Sequence, residues 1–345
     1  MRPLTFQILR ELSDANFTSG TALAKKLAVS RSAVSDALMQ ASASGVEIFK
    51  LTRRGYKLAA PLDMLDSEKI QQHLGCDVTG LNIEVLDTID STNTELKRRL
   101  GRGQLSSGTC ITAEIQTDGH GRRGRPWHSG FGTSLTFSLL WRFEKGAAQL
   151  GGLSLVVGLV IAKLLRIICI AGASVKWPND LLAGHKKLGG VLIETQGDML
   201  GPTIAVIGIG INVKLPEIMK RAIDQPVTDL VAHSDMLMSR NQLLATILQA
   251  LVPELDKFNK YGFLAFRDEW LAYHAYQDCT VSVVQGDGKS FEAVVSGVAI
   301  DGSLLVKPIG LAGRHEKEIA LSSAEISVRV IEQNNAKPTF KQTQL

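Results

Sequence analysis

Cysteine is scarce: Cys76, Cys110, Cys169 and Cys279 are the only four, spaced 34, 59 and 110 positions apart. No C-x-x-C pair and no Cys/His cluster appears, which excludes a disulfide scaffold and a structural zinc site and points to the reducing cytoplasm. No metal-ligating set is expected. An excess of one charge is lacking as well, with 38 basic against 34 acidic residues, so the chain as a whole is neither a basic coat for nucleic acid nor an acidic solvating tail. No uninterrupted apolar run is long enough to span a bilayer, because residues 150–173 are broken by Lys163 and Arg166. The first 17 residues carry charges throughout and have no signal-peptide core. A P-loop is also missing. What is there is a globular composition, 345 residues with 45% hydrophobic and 21% charged, enough for two or three domains.

The small net charge of +4 is unevenly placed. Residues 1–60 hold nine basic and four acidic side chains, an excess of five, and the remaining 285 residues carry a net of −1. The same 60 residues read as three short helices: 4–12 by apolar spacing, 22–27 after a Ser19 cap, and 31–42 after Ser30. A three-residue connection, 28–30, joins the last two, the length a helix-turn-helix uses. Two short strands follow around the basic loop with Arg53 and Arg54. This predicts a winged DNA-binding module in which Arg31, Ser32 and Ser35 face bases and Arg53 and Arg54 reach phosphates. The second helix of the pair has Arg31 and Gln40 but no lysine, and carries Asp36, so the wing is expected to supply much of the phosphate contact.

Residues 116–127, QTDGHGRRGRPW, form the most unusual segment. Gly119 to Gly124 matches G-x-G-x-x-G, but no helix opens there: Pro126, Gly130 and Gly132 follow, so a dinucleotide fingerprint is excluded. What remains is a loop with three arginines among three glycines. Guanidinium groups pair bidentately with phosphate or carboxylate, and Trp127 offers a face to a base. A second constellation is Lys176 to Asp180, KWPND, read as a turn at a strand end with polar side chains aimed inward. It is followed by Lys186, Lys187 and the glycine pair Gly189–Gly190. A third is the strand IGIGIN, residues 207–212, in which glycines clear one face and Asn212 closes the end. Together they describe a pocket with an apolar floor and several cations, suited to a small acid plus a nucleotide.

These motifs, with Ser91-Thr92-Asn93 ahead of them, resemble in order and spacing the bacterial biotin–protein ligases that also repress the biotin operon. The resemblance covers residues 80–215 closely, and extends to the N-terminal module and a C-terminal β segment. It implies an α+β fold: a winged helix-turn-helix over 1–62, a class II synthetase-like domain on a mixed sheet over 67–272, a small SH3-like β-barrel over 275–330 and a disordered tail over 331–345. Sequence periodicity places strands near 82–87, 109–115, 133–141, 188–195 and 203–213, and helices near 92–100, 151–170 and 240–260.

The resemblance implies two steps: biotin and MgATP give biotinyl-5′-adenylate, and a lysine of the biotin carrier protein of acetyl-CoA carboxylase then takes the biotinyl group. Carried over by position, Ser91, Thr92, Asn93, Gln116, Gly119, His120, Gly121, Arg122 and Lys187 bind biotin. Arg122, Arg125, Trp127, Lys176, Asn179 and Asn212 face the nucleotide. Arg122, Lys187 and Asp180 carry the chemistry. His120 stands where the family most often has arginine; histidine keeps a donor without a permanent charge, so a backbone role is expected there. Operator DNA and a homodimer of the adenylate-loaded form are the implied partners, with no membrane. Lipoate–protein ligase and a ligand-sensing repressor without ligase activity are the alternatives.

Overall fold

The computed structural model describes all residues except 77, 104, 169, 235–237, 286–288, 311–316, 323–326 and 331–345, with only the backbone described at 327–330. Cys169, the turn expected at 286–288 and the expected tail fall outside the described residues.

The N-terminal module folds as read. Helices α1 (Pro3–Glu11), α2 (Gly20–Lys26) and α3 (Arg31–Ala43) precede a hairpin of β1 (Ile48–Leu51) and β2 (Gly55–Leu58). Ser19 accepts from the Ala22 amide and Ser30 from the Ala33 amide, capping α2 and α3 as expected. Gln40 does not face outward toward bases: its Oε1 accepts from Arg2 N at 2.8 Å and Thr5 Oγ1 at 2.7 Å, locking α3 to α1. A separate core centred on Phe6, Ile8, Leu23, Val34 and Leu38 holds the module together, and Ile115 and Phe131 of the next domain pack against it.

The central region opens with α4 (Ser67–Leu74) and builds one seven-stranded sheet, in the order β3-β4-β5-β9-β8-β7-β6. Its strands are β3 (Asn82–Ile89), β4 (Thr109–Gln116), β5 (Ser134–Phe143), β6 (Ala173–Lys176), β7 (Asp180–Ala183), β8 (Lys186–Gly197) and β9 (Thr203–Asn212). Only β3 and β4 pair in parallel, joined by α5 (Thr92–Leu100); every other neighbour is antiparallel. The apolar run resolves into α6 (Leu153–Ile168), apolar nearly all round because it is clasped between the sheet and α8 (Arg240–Tyr261). The helical stretch Ala147–Ile168, of which α6 is the larger part, is long and apolar enough to cross a membrane, yet most of it is buried inside the protein. Short helices α7 (Glu217–Ala222) and α9 (Arg267–Tyr273) flank α8.

The C-terminal region is a five-stranded antiparallel sheet of β10 (Thr280–Val284), β11 (Ser290–Val298), β12 (Leu304–Pro308), β13 (Ile319–Leu321) and β14 (Ser327–Val330), in the order β13-β12-β11-β10-β14. It is tied to the central sheet by a strap: Ala275 N donates to Val175 O at 2.9 Å, and Trp177 Nε1 donates to Gly302 O at 3.0 Å. The segment between the N-terminal module and the sheet is fastened by Arg240, which is buried and donates to Glu114 Oε2 at 2.8 Å and to Asp63. Glu114 also accepts from Leu65 N at 2.5 Å. Burial raises the Glu114 carboxyl, with Arg240 acting against that shift.

Candidate active site

The register of the sheet builds the floor. Thr136, Gly210, Gly190 and Asp180 lie opposite one another across β5, β9, β8 and β7, and Lys176 continues the row on β6. Paired residues share a face, so two glycines clear the middle of the row between polar ends. One step along, Ser138, Gly208 and Leu192 form the next row on that face. The glycines are required by close approach. A Cβ at Gly208 would lie 2.3 Å from Asn93 Oδ1, and one at Gly210 2.5 Å from the Trp127 ring. Above this floor lies a cavity of about 1000 Å³.

One end of the cavity is polar and neutral. Ser91 caps α5, so the helix begins at Thr92 and turns Thr92 and Asn93 onto the sheet. All three are buried. Thr92 N and Oγ1 both donate to Gln116 Oε1, at 2.8 and 3.0 Å. Ser138 Oγ lies 2.7 Å from Thr92 Oγ1 and 2.5 Å from Asn93 Oδ1, and Asn93 Nδ2 donates to Glu194 Oε2 at 2.8 Å. The carbonyl end of Gln116 is thus committed to the protein. Its Nε2 lies beside Gly119, where a Cβ would come within 2.9 Å.

The other end is cationic. Arg122, Arg123, Arg125, Lys176, Lys186 and Lys187 line it, against the carboxylates of Asp180 and Asp224. Lys187 is three residues from Gly190, and in a regular strand it would point to the opposite face. A β-bulge corrects this: Leu181 pairs with Gly189 and Leu182 pairs with Lys187, leaving Leu188 over. Lys187 therefore joins the Asp180 face and its Nζ sits 2.6 Å from Asp180 Oδ1. The arginine loop is more ordered than its composition suggests. His120 and Pro126 form an antiparallel bridge, Gly121 N donates to Arg125 O at 2.7 Å, and Trp127 N donates to Gly119 O at 2.7 Å. At its tip, Arg122–Gly124 make a 3₁₀ turn with Arg123 at φ 59° and Gly124 at φ 67°. Burial and the Arg123 charge, joined by Arg125, push the Arg122 guanidinium below its ordinary value against the pull of Asp180. Such a site favours an anionic group such as a carboxylate or a phosphate.

The KWPND segment is the turn at a strand end that the sequence predicts, and it closes a hairpin between β6 and β7. Lys176 and Asp180 face each other across β6 and β7, with a cis Trp177–Pro178 bond at the corner and Trp177 buried. Asn179 and Asn212 line the cavity, yet their amides are engaged with the backbone: Asn179 Nδ2 donates to Val191 O at 2.8 Å and Asn212 Nδ2 to Thr228 O at 3.0 Å. Thr228 N in turn donates to Lys187 O, so residues 222–227 fold back over the lysine. Trp127 lies on Gly210, one step along β9 from Asn93, and its indole N–H is buried with no partner among the described residues. His120 keeps its Nδ1 near Asp118 O, at 3.3 Å.

The structure brings the biotin-side and nucleotide-side residues of the sequence reading to one cavity; of these, Gly119 is placed by its contacts with Gln116 and Trp127. Sequence reasoning missed Thr136, Ser138, Glu194 and Tyr276. Thr136 and Ser138 had a signal, the two-residue alternation of β5 opposite the glycines of β9. Tyr276 had none, because only the strap fold carries it to the cavity, where Lys176 Nζ stands 5.5 Å from its ring centre. The DNA-side residues lie apart from this cavity. Arg31, Ser32, Arg53 and Arg54 are exposed and Ser35 is half-buried on α3. Arg54 and Lys57 both approach the Phe17 ring, at 5.9 and 5.8 Å.

Residues 85–212 match the biotin/lipoate A/B protein ligase family, and residues 5–57 match an HTH domain. The bifunctional ligase/repressor BirA of Salmonella typhimurium is 36% identical over 324 residues, covering 94% of this chain and 98% of that protein. The biotin–[acetyl-CoA-carboxylase] ligase of Paracoccus denitrificans is 30% identical, over 67% of this chain and 95% of its own length. Among solved structures, a biotin protein ligase from Aquifex aeolicus in complex with biotin and ATP superposes with a TM-score of 0.59 at 29% identity, covering 72% of this chain and 99% of that one.

Proposed function

Since the chain belongs to the biotin/lipoate A/B protein ligase family, we propose that it joins biotin to protein in two steps and represses transcription through its winged module. The observation that carries this reading is a single cavity with a hydrogen-bonding end and a cationic end. In the first step a biotin carboxylate oxygen attacks the α-phosphorus of ATP, the bond to the β-phosphate bridging oxygen breaks, and pyrophosphate leaves. Two anions must meet, so the work is positioning and charge neutralisation by Arg122, Lys187 and Arg125. In the second step a neutral carrier lysine amine attacks the acyl carbon, AMP leaves, and the amine gives up a proton. Asp180 keeps Lys187 in place in both.

Ser91, Thr92, Asn93 and Gln116, with Gly119, His120 and Gly121 of the loop, take the ring system and tail. Lys176, Asn179, Asn212 and Trp127 take the nucleotide. A buried end rich in amide and hydroxyl groups suits a ureido ring and rejects a dithiolane, which would leave those groups unpaired. Magnesium would arrive on the triphosphate: among the described residues no three His, Cys, Asp or Glu side chains converge, while Asp180 and the Asn179 carbonyl offer the hard oxygen donors the ion takes. When bound it would neutralise phosphate charge. The acceptor is the biotin carrier subunit of acetyl-CoA carboxylase, in the cytoplasm. The adenylate-loaded chain pairs with a second copy and binds operator DNA through Arg31, Ser32, Ser35, Arg53 and Arg54.

The test is biotin-dependent exchange of pyrophosphate into ATP, with lipoate in parallel. Exchange with biotin alone supports the reading, exchange with lipoate alone replaces the substrate, and none with either leaves a ligand-sensing repressor. Sedimentation with and without biotin and ATP, followed by operator binding, tests the dimer.

A further inference from the structure

Glu194 sits on the cavity face of β8, in line with Gly190 and Leu192, but outside every recognised motif. Its carboxylate is used on both sides. Oε2 accepts from Asn93 Nδ2 at 2.8 Å, and Oε1 accepts from Lys97 Nζ at 2.5 Å. Lys97 is on α5, one turn past Asn93, so the same helix supplies both partners. Burial works against the charge, but the hydrogen bonds from Lys97 and Asn93 hold the carboxyl below the ordinary range.

We infer that Glu194 is a positioning residue for the neutral end of the cavity, acting through Asn93. An ionised carboxylate only accepts hydrogen bonds. Asn93 must therefore present its NH₂ to Glu194 and its carbonyl to Ser138, whose hydroxyl then donates. Asn93 is buried above Gly208 and has no room to swing. One charge thus sets the polarity of Asn93 and Ser138, which stand beside Thr92 and Gln116. Lys97 keeps that charge in place. A glutamine at 194 fits the space but brings its own NH₂, so either amide orientation becomes possible and the donor–acceptor pattern offered to the ligand is no longer unique. The inference rests on the biotin-ligase reading and deepens it by naming what fixes ring recognition.

The experiment measures biotin-dependent pyrophosphate exchange on the full chain. Glu194→Gln should raise the KM for biotin about tenfold and leave kcat and the KM for ATP within twofold. In an Asn93→Ala background the same change should have no further effect. Lys97→Met, which keeps the carboxylate but removes its counter-ion, should raise the biotin KM about threefold, and stands in if Glu194→Gln does not fold. An unchanged biotin KM in both variants overturns the inference, as does a parallel rise in both KM values or an undiminished Glu194→Gln effect without Asn93. Wild-type chain that exchanges with lipoate only would overturn the parent reading as well, and is told apart because it appears before any substitution.

Discussion

Gly210→Ala isolates the contact between the floor and the arginine loop. The new Cβ would stand 2.5 Å from Trp127 Cζ2, 2.6 Å from Cε2 and 3.0 Å from Cη2. A rigid indole has no flexible end to yield. Gly210 lies on a strand paired on both sides, with Thr136 on β5 and Gly190 on β8, so the backbone is held too. The indole must therefore move by about 1 Å, given that non-bonded carbons rest roughly 3.5 Å or more apart. The Trp127 backbone N–H donates to Gly119 O, so the displacement passes into the loop that carries Arg122. Overpacking of this kind costs about 1–3 kcal/mol, which, taken from the loaded state, is about a 5- to 150-fold loss in kcat/KM. On the proposed function the loop serves both substrates, so KM should rise for biotin and ATP alike. The assay is pyrophosphate exchange alongside Trp fluorescence and a melting curve. Wild-type kcat/KM for both substrates, with an unshifted emission spectrum, would refute the claim that Gly210 exists to seat Trp127.

Other expectations follow from single features. Asp180→Asn leaves Lys187 without its charged partner at 2.6 Å; exchange should fall at least tenfold with the melting temperature nearly unchanged, and full activity would remove Asp180 from the mechanism. His274 is buried and stacked on Trp270 at 4.4 Å, and burial lowers its pKa to about 3. The unfolded chain binds a proton there below about pH 6.5 and the folded chain does not, so stability falls as pH drops, by about 1.4 kcal/mol per unit. Denaturant titrations of His274→Gln at pH 7.0 and 5.5 should show a loss smaller by about 1.4 kcal/mol than in wild type, and equal losses would contradict the assignment. Replacing Arg53 and Arg54 together with alanine should weaken operator binding and cut the salt slope by about 2, since each phosphate contact contributes about 0.9; an unchanged slope would take the wing off the DNA.

The sequence was legible wherever chemistry and period coincide. Ser19 and Ser30 announce their helices because a cap needs a hydroxyl at one defined place. The glycines of β9 announce a cleared face because two-residue alternation has one geometry. The KWPND hairpin was harder to read, since a four-residue strand such as Asp180–Ala183 is too short to show a period. Nothing local in the sequence says that the Gln40 amide joins Arg2 and Thr5, 38 and 35 positions away. Asn179 and Asn212 are of the same kind: each lines the cavity, but its amide is given to a backbone carbonyl brought there by the fold. Lys187 stands out in the sequence as a lysine before paired glycines, which does not tell which face it occupies.

That face depends on Leu188. As the extra residue of the bulge it is wholly buried, packed into the central core while its neighbour turns toward the cavity. Lys187 is thus held on this face by the bulge as much as by its own identity. With Leu188 present, a ladder without the bulge would carry the ammonium to the far side of the sheet; with Leu188 deleted, a regular ladder would set the lysine two residues from Gly190 and keep it on the Asp180 face. A chain that keeps this spacing therefore needs both the bulge and a large apolar residue at 188 to fill the core, whereas a chain one residue shorter here would bring its lysine to Asp180 on a regular strand.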